Sequence, residues 1–412
     1  MRTWLLGVFM LVSALVAFAQ GAMEEDYNAL SPKDQELLTN VIELVDGGLS
    51  EAVLPDFELL AEKYPKNYLV QYERAYSQYM LGRYDEVVKN RKFLLNDKRA
   101  IEHAYQLVGN SYDNLGDSKK AVKVYQDGLK RFPRSGSLYL ELGTISAMKG
   151  DYDKALEYYN HGILAQPNFA SNYFRAASLF LMTDEWKVWG LVYAEAAVLL
   201  APSNEERHEV MATAIVDCLK ESIKMSSDGN DTMSVSLVPA RVMQIDKEGK
   251  KVYLGFPGVY EGAMWRSLLK MVVDKAPFTG SLSQLIELRR GLVESYFSVT
   301  DDLFGNSMYL LEFQKKIIDA GHWEAYNYYL FCQCFPDEFE AWYSADSAPL
   351  DAFIAWFNNE PFSLGNGRSV DLMQIYDNYR PLDMTQALLI QASLLTDADE
   401  GGNGLLKQKG DE

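Results

Sequence analysis

Residues 102–135 read EHAYQLVGNSYDNLGDSKKAVKVYQDGLKRFPRS, and residues 136–169 read GSLYLELGTISAMKGDYDKALEYYNHGILAQPNF. Aligned, Gly109, Tyr112, Gly116, Ala121, Tyr125, Gly128 and Pro133 fall on Gly143, Ser146, Gly150, Ala155, Tyr159, Gly162 and Pro167, each 34 positions later. A constant period of that length marks stacked helix pairs, each burying a face on the next. The residue types say how a pair is built. Gly109 and Ala121 are small where two helices cross, and Tyr112 and Tyr125 fill the space around the crossing. Gly116 takes the turn between the helices, where a positive φ is easily adopted. Pro133 cannot continue a helix and closes the unit.

Outward from this stretch the frame fits five times over residues 31–225, with units starting at Asp34, Tyr68, Glu102, Gly136 and Ala170. Ser31-Pro32 reads as an N-cap followed by proline at the first helical position. Unit two keeps Ala75, Gly82 and Tyr84 but has Arg91 where Tyr125 and Tyr159 stand in their units. Unit five keeps Ala177, Trp186, Tyr193 and Ala196, with Asp184 in place of the turn glycine, and unit one keeps Gly48, Phe57 and Pro65. Terminal units of such arrays depart from the pattern because they cap the stack.

The pattern resembles the tetratricopeptide repeat (TPR), best at 102–169, and the whole chain is similar to exported repeat proteins of Bacteroidetes. The resemblance implies a mainly all-α fold, a TPR α–α superhelix or solenoid. It also implies a scaffold that holds a protein or peptide partner in a concave groove, in a cell-envelope or secretion assembly. In the family the first helix of each pair lines that groove. Carried onto this chain, the lining is Tyr72, Tyr76, Tyr79 and Met80; then His103, Gln106, Asn110, Asp113 and Asn114; then Leu140, Thr144 and Met148; then Phe174, Ser178 and Met182. One subclass grips a peptide carboxylate with basic groove residues. Asn110 matches that clamp, but the corresponding basic positions read Leu38, Tyr72, Gln106, Leu140 and Phe174, which disfavours it. The tyrosines either pack on a neighbouring helix or stand exposed, where they suit an extended peptide or a glycan.

The 412 residues are enough for two domains. A formal net charge of -19 repels phosphate backbones and anionic lipid, which disfavours nucleic-acid and membrane-surface roles. The acidity serves solubility or matches a basic partner. Met1-Arg2, the apolar run Leu5 to Phe18 and the small-residue pattern Ala17-Phe18-Ala19 read as a signal peptide over 1–19. No cysteine stands there for a lipid anchor and no other segment is apolar enough to span a bilayer, so a periplasmic or secreted protein is expected. Cys218, Cys332 and Cys334 are too few for a disulfide framework and read as core thiols.

Beyond Pro202 the repeat phase is lost. Glu205 to Lys224 is helical by spacing, and a polar turn at 226–231 begins a second, mainly helical domain over 226–396. It opens with a small β-hairpin near 234–256. Helices follow near Glu261–Asp274, Ser281–Phe297, Ser307–Ala320, Trp323–Gln333, Pro336–Tyr343 and Pro349–Asn358. Trp342, Phe353, Trp356 and Phe357 form either core or a ligand pocket, and 397–412 reads as a disordered tail. No phosphate loop, dinucleotide fingerprint, nucleophile elbow or His-Glu-x-x-His stretch occurs. The expectation is therefore a non-enzyme with no catalytic residues, no cofactor and no metal. The rival is an enzyme with its site in the C-terminal domain around His322 and the aromatic cluster, which requires His322 beside Cys332 or a carboxylate.

Overall fold

The computed structural model describes residues 23–366, 368, 370 and 382–383, apart from 47–48, 184–185, 227–231, 236, 238–242, 246–250, 255, 274–277 and 301–307. The expected signal peptide at 1–19 and tail at 397–412 lie outside the described residues. The described chain divides after Gln166 into two compact units.

The first unit runs α1 (Glu24–Asn28), α2 (Pro32–Asp46), α3 (Ser50–Lys63), α4 (Tyr68–Met80), α5 (Tyr84–Lys89), α6 (Arg91–Asn96), α7 (Glu102–Asn114), α8 (Ser118–Arg131), α9 (Gly136–Met148) and α10 (Tyr152–Ala165). Helices α7 and α8, like α9 and α10, form the two equivalent pairs that the 34-residue frame predicts. Gly82, Gly116 and Gly150 sit at the turns with φ of 72°, 80° and 78°. The second helix of each regular pair begins at an aspartate, Asp117 or Asp151, whose carboxylate accepts from the backbone N–H three residues on. At the other end of the unit the Asp34 carboxylate accepts from Lys63 at 2.6 Å and from the Tyr64 hydroxyl at 2.7 Å, fastening α2 to the end of α3.

The closest packing in each pair is a tyrosine ring laid on a glycine. A Cβ at Gly109 would stand 2.0 Å from Tyr125 Cε1, and one at Gly143 would stand 2.3 Å from Tyr159 Cε1. Both rings are buried, at 1% exposure each, so they have no room to swing clear. Unit two lacks this lock. It has Ala75 in place of the glycine and Arg91 in place of the tyrosine, and its second helix is broken at Asn90 into α5 and α6. Phe93 there stacks at 6.1 Å on Tyr68.

The second unit begins with α11 (Ala170–Phe180) and α12 (Lys187–Leu200), the helix pair of the fifth repeat, followed by α13 (Glu205–Ser222). Strand β1 (Ile223–Ser226) pairs antiparallel with β2 (Thr232–Val235), and β3 (Met243–Ile245) pairs with β4 (Lys251–Leu254), which also pairs with β5 (Leu382–Asp383). Helices α14 (Phe256–Val273), α15 (Leu282–Thr300), α16 (Tyr309–Asp319), α17 (Trp323–Phe331), α18 (Pro336–Ala345) and α19 (Ala348–Asn359) complete it. Apart from α14, which starts five residues before the expected Glu261, their bounds lie within three residues of the expected ones, because each carries its own apolar spacing.

At the centre of this unit, Glu195 of α12 accepts hydrogen bonds from Arg289 of α15, Gln314 of α16 and the Tyr326 hydroxyl of α17. Arg289 also donates to Asn327, whose amide in turn donates to the Trp323 carbonyl at 2.8 Å. The guanidinium lies over the rings of Trp323, Tyr326 and Phe331 at 5.3–5.5 Å. All five polar groups are buried. A buried ion pair tolerates the interior only when hydrogen bonds satisfy both ions, as they do here, and removing one partner costs about 3–5 kcal/mol.

Replacing Gly109 by Ala forces Tyr125 out of its site, so a loss of about 1–3 kcal/mol is expected. Gly116→Ala meets open space and only the backbone penalty at positive φ, about 1 kcal/mol. Urea melts followed by far-ultraviolet circular dichroism measure both. Equal costs for the two variants would refute the ring-on-glycine lock.

Candidate functional site

Helices α4, α7 and α9 are the first helices of three successive pairs, and they bring a set of polar side chains together. Gln106 of α7 donates to Glu141 Oε1 of α9 at 2.7 Å, and Asn110, one turn further along α7, donates to the same oxygen at 3.4 Å. The carbonyl end of Asn110 is used as well, since the Tyr125 hydroxyl donates to its Oδ1. Asn110 is thus fixed at both ends, and it fixes Glu141 in turn.

Tyr79 of α4 joins from the other side. Burial holds its phenol above the ordinary value; hydrogen bonding to Asn110 partly offsets this, and the negative charge of Glu141 adds to the rise. Its ring leans on Tyr84 at 5.3 Å. Burial drives the Tyr125 phenol up further, reinforced by Glu141, then Asp113, then Tyr79. The cluster therefore holds two carboxylates, two amides and two phenols drawn from three repeats. Asp113 is oriented by Ser118, whose hydroxyl donates to it at 2.5 Å, and Asn114 donates to the Asn110 carbonyl at 2.8 Å.

The remaining groove candidates divide by surroundings. Tyr72 is buried, at 6% exposure, and belongs to the core. Tyr76 is half-buried against that core. His103 is exposed, as are Met80 and Met148. Thr144 donates back to the Leu140 carbonyl of its own helix at 2.9 Å. In the second unit, Phe174 lies half-buried beneath the guanidinium groups of Arg175 and Arg207, and Ser178 donates to the Phe174 carbonyl at 2.9 Å. Glu141 is the residue that sequence reasoning missed, because it stands one place beyond the family's groove position Leu140. A signal was present: one repeat earlier, Leu107 lies between Gln106 and Asn110, so a charge at 141 falls beside two amides.

The rival site around His322 has different chemistry from that expected. The His322 ring packs on Phe353 and Trp356 at 6.3 and 5.7 Å. Burial pushes the Cys332 thiol up to about 11, with Cys334 adding to the rise, so it is a protonated thiol near neutrality. Cys334 lies 3.7 Å from the Thr213 hydroxyl, and burial raises its thiol too. No group of three or more potential metal ligands occurs among the described residues. Nor, among them, is any helix long and apolar enough to cross a membrane.

Residues 109–168 match the sequence model of the tetratricopeptide repeat. No curated protein matches the chain. Among solved structures, a thermophilic TPR protein of Thermus thermophilus is 22% identical over 44% of this chain and 99% of its own, with a TM-score of 0.39. MamA is 15% identical over 40% of this chain and 95% of its own, with a TM-score of 0.33. A human IFIT1 dimer bound to m7Gppp-AAAA is 14% identical over 73% of this chain and 68% of its own, with a TM-score of 0.32. At TM-scores this low the likenesses carry no inference about this chain.

One histidine of the second unit sets a pH dependence. His208 is buried; its Nε2 donates to the Leu330 carbonyl at 2.9 Å, while Nδ1 has no partner among the described residues. Burial holds its folded-state pKa below 6.5. The unfolded chain therefore takes up the proton first, so this contribution to stability is full above about pH 6.5 and is lost as the pH falls below it. The urea midpoint should drop between pH 7.5 and 5.5, and the His208→Gln variant should show a smaller drop over that interval. An unchanged drop in the variant would rule His208 out as its source.

Proposed function

We propose that this chain is an exported, non-catalytic scaffold that holds a peptide-like segment of a protein partner along the first helices of its repeats, in a cell-envelope or secretion assembly. The observation that carries the reading is the convergence of Tyr79, Gln106, Asn110 and Glu141 from α4, α7 and α9. A carboxylate pinned by two amides beside phenols is a pre-oriented recognition group, and pre-orientation lowers the entropy lost on binding. The match of 109–168 to a repeat family built for such contacts supports it. Export rests on the leader pattern of Met1 to Ala19.

A peptide is favoured over a glycan by the tyrosines. Sugar rings dock on open aromatic faces, whereas Tyr72 is buried and Tyr79 leans on Tyr84. Main-chain amides and polar side chains can instead bond to the edges of the cluster.

The full chain, immobilised and exposed to a native envelope extract, should retain a defined protein identified by mass spectrometry. Tyr79→Ala combined with Glu141→Gln should lower its retention by about tenfold or more, as loss of a central anchor worth about 1.5–3 kcal/mol requires. Undiminished capture by the double variant, with its melting curve unchanged, would remove this cluster from the binding surface.

A further inference from the structure

Helix α18 is built differently from every other helix of its unit. None of its residues is buried, yet it carries Phe339, Trp342 and Tyr343. Their spacing puts all three on one face. Phe339 stacks on Tyr343 at 5.9 Å with an interplanar angle of 8°, and Trp342 stacks on Tyr328 of α17 at 4.2 Å and 7°. The stacks adjoin, with Phe339 and Trp342 6.3 Å apart. The four rings are half-exposed, so this is a surface of aromatic faces and edges, not core.

Its electrostatics are one-sided. Between Lys316 and Arg368 the chain has no lysine or arginine but eight carboxylates. Asp337, Glu338, Glu340 and Asp346, on α18 or next to it, are exposed, and Glu324 is exposed on α17. Glu324 and Glu338 reach the stack itself, since both add to the rise that burial causes in the Tyr328 phenol. Asp337 and Glu338 also suit the N-terminus of α18, where the helix dipole favours negative charge. Glu340 has no such role there, and Glu324 stands in the first turn of α17. One cation of the chain already uses this chemistry, because Lys220 Nζ lies 5.3 Å over the ring of Phe335, the residue that leads into α18.

From this juxtaposition we propose that the stack of Tyr328, Phe339, Trp342 and Tyr343, rimmed by Glu324, Glu338 and Glu340, is a docking surface for a lysine- or arginine-bearing segment of another protein. Ring faces attract cations through their quadrupole, and surrounding carboxylates supply the complementary charge that an apolar guest would not need. The two adjoining stacks accommodate successive basic side chains of one extended segment. This surface shares no residue with the cluster on α4, α7 and α9, so either site can fail without the other.

The test uses the full chain and a fluorescein-labelled peptide of alternating Arg and Gly, with a Glu-for-Arg counterpart, read by fluorescence anisotropy. The Arg peptide should bind, and its binding should weaken as ionic strength rises from about 0.05 to 0.3 M. Trp342→Ala and the pair Glu338→Gln with Glu340→Gln should each weaken it about 3- to 30-fold. Because no residue of α18 is buried, these variants should keep the far-ultraviolet spectrum of the parent. Glu141→Gln should bind the peptide as the parent does. Absence of binding, equal binding of the Glu peptide, displacement by a neutral oligosaccharide such as maltoheptaose, or loss that follows Glu141→Gln instead of the α18 variants would each overturn the proposal.

Discussion

A single contact sets the geometry of the regular repeats: the ring of Tyr125 lying where a methyl group on residue 109 would have to be. Glycine at that position lets the two helices of a pair approach until the ring of one rests on the backbone of the other. The same contact between Tyr159 and Gly143 reproduces the spacing in the next pair. Equal spacing in turn places the first helices at equivalent positions, so Gln106 and Asn110 of one repeat face Glu141 of the next. Tyr125 does both jobs. Its ring seals the crossing, and its hydroxyl holds the amide that positions the carboxylate. The polar cluster and the helix packing are therefore coupled through one side chain.

In unit two, with Ala75 and Arg91 at these positions, the second helix is broken. Unit two has the turn glycine and the leading tyrosine of its second helix, but Arg91 cannot lie buried on a neighbouring backbone as a phenol does. Its guanidinium donates instead to the Val88 carbonyl at 2.9 Å, and the chain breaks at Asn90. The second unit is organised on another principle. Beyond α12 its helices lack the period, and α12 and three of those later helices meet around the Glu195–Arg289 pair, where every donor points at a partner. Such a network specifies which helices adjoin, because an apolar contact would accept many neighbours and a buried charge accepts very few.

Much of this was legible in the residues. The period, the turn glycines and the crossing glycines fixed the helix pairs, because each is a local demand that a residue type either meets or fails. The C-terminal helices were legible for the same reason. The polar cluster was legible in part: Gln106, Asn110 and Tyr79 were named and do come together, while Glu141 was overlooked and Tyr72 proved to be core. The misplacement of Tyr72 has a simple cause. A family position names a face of a helix, and only the neighbours decide whether that face is covered.

The amino-acid sequence alone determined that stacked helix pairs recur every 34 residues between 102 and 169, because period and residue size are properties of the chain itself. It determined equally that the molecule is acidic and that its thiols form no framework. Only the tertiary structure decided that Glu141 sits between two amides, that Glu195 meets an arginine 94 residues away, and that the aromatics of α18 stack in the open. Each of these depends on distances between residues far apart in the chain. Helical periodicity carries no information about such distances until the helices have packed.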